Sequence, residues 1–225
     1  MKIALCFSGH MRTYENAFPY IKTQILDSLN CDIFIHTIKD NNINWNNVVK
    51  NYNPKLITVA DQIAFSDPYL SKYKNNSNIS VISMYYDIYS CNKLKKQYEK
   101  INNIKYDCVI RLRPDGILNN KIKESDFNNL DKVYVNKCGT PNTWVDDTFA
   151  FSSSENMDLY SNTYLYLAEF YNIEQSLHPE TMLRYCLQKH NIETYVGDIK
   201  FALLRMNNKL EGHAFHGEID QFINL

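Results

Sequence analysis

The run Lys2-Ile3-Ala4-Leu5-Cys6-Phe7, cut off by Ser8-Gly9, restricts this chain more than any other stretch. It is a continuous apolar run of strand length, so both faces of the strand need cover. Such a strand belongs inside a sheet with helices packed on either side. The residues that follow point the same way. Phe18, Ile21, Ile25 and Leu29 recur at the three-and-four spacing of a helix. Cys31 to Thr37 and Lys55 to Val59 are two further strand-type runs. The order strand, helix, strand, loop, strand predicts an α/β fold with a parallel, doubly wound sheet.

Further along, Met84, Ile88, Cys91, Leu94 and Tyr98 repeat at helical spacing, with Tyr85, Tyr89, Asn92, Lys93 and Lys96 on a second face. Cys108 to Leu112 reads as a strand, and Lys132 to Val135 and Thr148 to Phe151 as two short ones. Ser154 suits the N-cap of a long helix with Met157, Tyr160, Tyr164, Leu167 and Tyr171 as its apolar stripe. Pro179 suits the first turn of another helix reaching to about His190. Thr194 to Val196 and Phe201 to Arg205 are late strand candidates. Asn41 to Asn47, Asn75 to Asn78 and Gly212 to Gly217 read as loops. With no repeat, linker or break in composition, a single domain over 1–225 is expected.

Charge narrows the class of partner. Lys and Arg total 24 against 25 Asp and Glu, a net charge of -1, which argues against bulk-charge attachment to nucleic acid or anionic membrane. Five apolar residues stand between Lys2 and Ser8, too few for a signal peptide, and no later stretch reaches membrane-spanning length. A soluble, cytoplasmic protein without a transmembrane segment is expected. None of the six cysteines sits in a C-x-x-C pair, and most read as core residues in a reducing compartment.

Five segments carry side chains with chemistry. In Tyr106 to Asp115 a strand ends in Arg113-Pro114-Asp115-Gly116, with Arg111 and Arg113 in alternating register on one face. Charges are rarely buried without a partner, so this end of the strand suits an anionic, metal-associated ligand, or else a buried Arg–Asp pair that closes the sheet. Ser8-Gly9-His10-Met11-Arg12 follows the first strand, where ligands sit in open α/β sheets; Gly9 admits close approach and Arg12 suits phosphate. An ordinary strand-to-helix turn is the alternative there. Asp146 and Asp147, next to Trp144, suit either a turn cap or a sugar ligand and general base. Glu180, after His178-Pro179, either complements a helix dipole or deprotonates a hydroxyl. His213 and His216 lie in a late loop, where a histidine can complete a metal shell.

In this order, Ile3 to Arg12, Tyr106 to Asp115, Asp147-Thr148-Phe149-Ala150 and Pro179-Glu180 resemble a small GT-A-type glycosyltransferase, of the kind found in bacterial polysaccharide clusters and large DNA viruses. The resemblance implies a single GT-A-like, Rossmann-like domain, its nucleotide-binding part about 1–118 and its acceptor-side part about 119–225. It implies transfer of a hexose or pentose from a nucleoside-diphosphate sugar, UDP- or GDP-linked, to a hydroxyl of a glycan or glycoprotein acceptor, by a monomer or homodimer. Ser8, Gly9, His10, Arg12, Tyr85, Asn92, Lys93, Arg111, Arg113, Asp115 and Asp146 would bind the nucleotide sugar. Asp147 and Glu180 would be catalytic. Mn²⁺ or Mg²⁺ would sit on Asp115 with His213, although Arg113 stands where the family's Asp-x-Asp motif has its first acid. A sugar nucleotidyltransferase and a non-catalytic nucleotide- or glycan-binding module are the alternatives; the first usually needs a richer glycine loop after strand one than Ser8-Gly9-His10 offers.

Overall fold

The structure is a computed structural model that describes residues 1–62, 73, 76–136, 144–212 and 215–223. Ten strands are present among them: β1 (Ile3–Ser8), β2 (Cys31–Ile38), β3 (Leu56–Ala60), β4 (Cys108–Leu112), β5 (Gly116–Leu118), β6 (Val133–Val135), β7 (Phe149–Ser153), β8 (Thr194–Tyr195), β9 (Phe201–Leu204) and β10 (Leu210–Glu211). The helices are α1 (Tyr14–Ile21), α2 (Trp45–Tyr52), α3 (Asn76–Asn102), α4 (Ser154–Ser161), α5 (Leu167–Glu174), α6 (Pro179–Lys189) and α7 (Ile219–Phe222).

The central sheet has seven strands in the order β3-β2-β1-β4-β7-β6-β8. Strands β1 to β4 run parallel to one another, and β6 is parallel to β8. Strand β7 runs antiparallel to both β4 and β6. The sheet is therefore mostly parallel, as expected, with one reversed strand inside it. A second, antiparallel sheet of order β10-β9-β5 lies beside it.

The alternation of β1 explains the two-sided core. Ile3, Leu5 and Phe7 point to one face, where they join Ile21, Ile25, Val48 and Tyr52 of the helices around α1 and α2. Ala4 and Cys6 point to the other, where they meet Ile82, Tyr85 and Ile88 of α3. The small side chains on that face suit close approach of a helix 27 residues long. Strand β4 repeats the pattern, with Cys108, Ile110 and Leu112 on the first face and Val109 on the second. By the same period Arg111 falls on the α3 side.

Local chemistry corrects several sequence expectations. The Asn-rich loop expected at Asn41 to Asn47 runs into α2, because the Asn44 side chain caps it by accepting from the Asn47 amide at 3.3 Å. The helix expected from Ser154 is capped by Ser153, whose side chain accepts from the Asn156 amide. The Ser154 hydroxyl instead meets Lys95 Nζ at 2.6 Å. That helix also splits into α4, a 3₁₀ turn at Asn162–Tyr166, and α5. Gly116 lacks a Cβ where the Phe201 ring lies, 1.9 Å from that position, so any larger residue there would displace the ring that joins β5 to β9.

Cys6, Cys91, Cys108 and Cys186 are buried and free, and Cys31 is free and partly buried. Cys138 lies outside the described residues. No helix among the described residues is long and apolar enough to cross a membrane.

Candidate functional site

The strand order 3-2-1-4 reverses between β1 and β4. At such a switch point the loops leaving two neighbouring strands diverge and open a crevice at the carboxyl ends. A cavity of about 440 Å³ lies there, a common size for a small-molecule site. Its wall brings together Ser8, Gly9, His10 and Arg12 from the loop after β1 with Arg111, Arg113 and Asp115 from the end of β4. Because β7 runs antiparallel, its start brings Asp147 to the same end, and α6 adds Glu180. Nine of the residues singled out from sequence thus share one cavity, although they come from four separate segments.

Gly9 makes the first wall possible. Its φ of 111° lies in the region that L residues avoid, and its amide donates to the His36 carbonyl at 3.3 Å. The turn keeps the Ser8 side chain at the cavity. Ser8 Oγ is buried without a hydrogen-bond partner among the described residues, as is Ser83 Oγ across from it on α3. His10 is held below its ordinary pKa by burial and then by the nearby Arg12, which favours the neutral imidazole at pH 7.

Arg111 and Arg113 differ sharply in their partners. Arg113 grips Asp115 with two parallel hydrogen bonds, Nε to Oδ1 at 2.9 Å and Nη2 to Oδ2 at 2.7 Å. The Asp115 backbone is fixed in turn, its carbonyl accepting from the Leu204 amide at 2.7 Å. Arg111 is 2% exposed and donates through Nη1 to the backbone carbonyl of Asp147. Its Nε and Nη2 are buried with no hydrogen-bond partner among the described residues. A buried guanidinium with open donors is costly unless a ligand supplies acceptors.

The acids on the far wall are not equivalent. Burial, then repulsion from Asp146, pushes the Asp147 carboxyl up to about 6, and Arg111 only partly opposes this. Glu180 stands in the first turn of α6 and meets His178 Nδ1 at 3.2 Å. The Trp144 ring packs on the same imidazole, with ring centres 5.4 Å apart.

Other residues singled out from sequence lie elsewhere. Asp146 does not line the cavity; its Oδ1 accepts from the Thr148 amide at 2.8 Å and from the Thr148 hydroxyl, which is the turn-cap role. Tyr85 is fully buried outside the cavity lining and donates to the Pro179 carbonyl at 2.6 Å, so it holds the start of α6. Asn92 donates to Asp158 at 2.9 Å, and Lys93 lies over the Tyr89 ring, both beyond the turn of α3 that faces the cavity. His216 is exposed and away from the cavity, and His213 lies outside the described residues.

The cavity also has a wall that sequence reading missed. Ser80, Ser83, Met84 and Asp87 line it from the first turns of α3. Their spacing of three and four marks one helical stripe, polar among apolar neighbours, and that is the signal that locates them. Asp87 is tied to His36 of β2, Nδ1 to Oδ1 at 3.0 Å, and both are buried.

A family model described as a domain of unknown function, DUF7796, matches residues 1–208. The chain belongs to the DUF7796 family. The match takes in β1, β4, β7 and α6, and so every element that contributes to the cavity. A search among curated proteins finds no match.

A divalent metal fits poorly at Asp115. Both Asp115 oxygens face the Arg113 guanidinium, which supplies positive charge where a metal would. Among the described residues, no three His, Cys, Asp or Glu side chains are grouped to hold a metal ion.

Proposed function

We propose that this DUF7796 protein is a glycosyltransferase of GT-A-like architecture, transferring a sugar from a nucleoside-diphosphate sugar to a hydroxyl acceptor. The observation that carries the reading is Arg111: a buried guanidinium with two open donor nitrogens at the switch point of the sheet. A diphosphate offers pairs of acceptor oxygens that the planar guanidinium fork can meet with two parallel hydrogen bonds. The free hydroxyls of Ser8 and Ser83 add neutral donors beside it. The GT-A assignment rests on the mixed sheet, with β7 reversed next to β4, and on the sequence resemblance.

The chemistry follows from where charge develops. An acceptor oxygen attacks the anomeric carbon, and the bond from that carbon to the diphosphate oxygen breaks, its electron pair staying on the diphosphate. Arg111, with the Arg113–Asp115 pair beside it, is pre-set to stabilise that leaving charge. The acceptor proton goes to Asp147. With a pKa of about 6 this carboxyl is mostly ionised at pH 7 yet basic enough to take a proton. Glu180, paired with His178, shapes the acceptor side of the cavity.

A thermal-shift screen against UDP, GDP, CDP and their sugars tests the reading, because a ligand that binds the folded state raises the unfolding temperature. Stabilisation by one base series, followed by transfer or slow hydrolysis of its sugar, supports it. Stabilisation with no turnover points to a non-catalytic binding module. No shift with any nucleotide overturns it.

A further inference from the structure

We infer that Asp87, oriented by His36, is a hydroxyl-binding carboxylate of this cavity, recognising a hydroxyl pair on a sugar ring attached to the diphosphate. The inference rests on the nucleotide-sugar reading and adds a residue and a selectivity to it.

Asp87 is 3% exposed, yet it lines the cavity. Among the described residues its hydrogen bond goes to His36, at 3.0 Å, and to no arginine. The His36 ring is itself placed: its strand pairs in register with β1 at Ser8, and the Tyr86 ring meets it edge-on, 5.7 Å between centres. The dyad thus fixes one oxygen and the plane of the carboxylate. In this it differs from Asp115, both of whose oxygens are held by Arg113.

A buried carboxylate beside an anion site is costly unless the ligand brings a donor to it. An ionised carboxylate can only accept hydrogen bonds. It repels phosphate and favours a hydroxyl. A nucleoside-diphosphate sugar has hydroxyl pairs on both sides of its diphosphate, on the ribose and on the transferred sugar. Ser83, one turn before Asp87, and Ser80, two turns before it on the same stripe, extend a polar surface along which such a ring can lie. The shared chemistry is a neutral diol next to a diphosphate, and ligand analogues separate its two sources.

The test is calorimetric titration of the full chain and of Asp87→Asn with UDP and GDP, their 2′,3′-dideoxy counterparts, and UDP-glucose and GDP-mannose. Asn keeps the shape and still accepts from His36, and an unchanged unfolding temperature verifies the fold. If the ribose is the partner, wild type prefers the ribonucleotide by roughly ten- to hundredfold, the size of a hydrogen bond to a charged group, and Asp87→Asn erases that preference. If the transferred sugar is the partner, Asp87→Asn leaves diphosphate affinity intact and weakens the sugar nucleotide by a similar factor. Identical affinities in wild type and variant for every ligand overturn the inference while leaving the nucleotide reading in place. The wild-type protein alone also decides. Equal affinity for ribo- and dideoxy-diphosphates, with no gain from diphosphate to sugar nucleotide, overturns the inference even if the variant does not fold. A wild type that binds no nucleoside diphosphate at all removes the nucleotide reading and this inference together.

Discussion

Arg113 and Asp115 hold each other at two points, Nε to Oδ1 at 2.9 Å and Nη2 to Oδ2 at 2.7 Å. Two residues apart, they sit on either side of Pro114, which fixes the turn between them. The sequence left open whether Arg113 assists a metal on Asp115 or takes its place. The pairing favours the second role, with Asp115 aiming a guanidinium at the cavity.

That arrangement predicts how the pair responds to substitution and to metal removal. Arg113→Ala weakens binding of a nucleoside diphosphate by roughly ten- to hundredfold and leaves the nucleoside almost unaffected. Asp115→Asn weakens the same ligand less, because the guanidinium remains but loses its orientation. Titration in the presence of a chelator gives the same wild-type affinity as titration with Mn²⁺. Equal losses of diphosphate and nucleoside in Arg113→Ala would show that Arg113 does not meet the diphosphate.

Asp147 predicts a pH dependence. Its carboxyl is raised from 3.8 to about 6 by burial and by Asp146. Between those values the folded protein keeps a proton that the unfolded chain has released. Stability from this group is therefore greatest below pH 4 and falls as pH rises through about 6. Asp147→Asn removes the penalty and stabilises the protein at pH 7 by up to about 3 kcal/mol, since each pKa unit is worth about 1.4 kcal/mol. The transfer rate of the wild type rises through about pH 6 and then levels, and Asp147→Asn abolishes it. Chemical denaturation at pH 4 and pH 7 and a pH–rate profile measure the two effects separately.

Gly9→Ala predicts strain without collision. A Cβ at Gly9 would meet nothing within 4 Å, so the cost comes from its φ of +111° alone. Destabilisation of about 1–3 kcal/mol is expected from equilibrium unfolding. Relaxation of the turn also shifts Ser8 and reduces nucleotide affinity. Wild-type stability together with wild-type affinity would show that the loop does not need this conformation.

Much of this architecture was legible because backbone and side-chain requirements coincide. Ile3 to Phe7 is a short apolar run with two covered faces, Cys108 to Leu112 is another interrupted by Arg111, and they became the paired strands at the switch point. Pro179 marked the start of α6 because its missing amide costs nothing there. The pieces that escaped have weaker local signals. Strand β5 is three residues long and owes its place to Phe201, far along the chain. Helix α2 is hidden by asparagines, one of which is its cap. Strand direction was also invisible, since nothing local to Phe149–Ser153 says that it runs against β4. In the site, Asp87 was overlooked because the first turns of α3 carry few charges and Asp87 falls between the two stripes read from the later turns. Tyr85 and Asn92 looked polar and available, whereas packing turned both toward protein partners.

The central claim is that the open donors of Arg111 receive a diphosphate. Calorimetric titration of wild type and Arg111→Gln with the nucleoside diphosphate that stabilises the protein best tests it most directly. Gln keeps one donor for the Asp147 carbonyl and removes the charge. Wild type is expected to bind saturably and the variant to lose at least about tenfold in affinity, the scale of a charged hydrogen bond. Undiminished affinity in a folded Arg111→Gln protein would contradict it, as would a wild type that binds no nucleoside diphosphate.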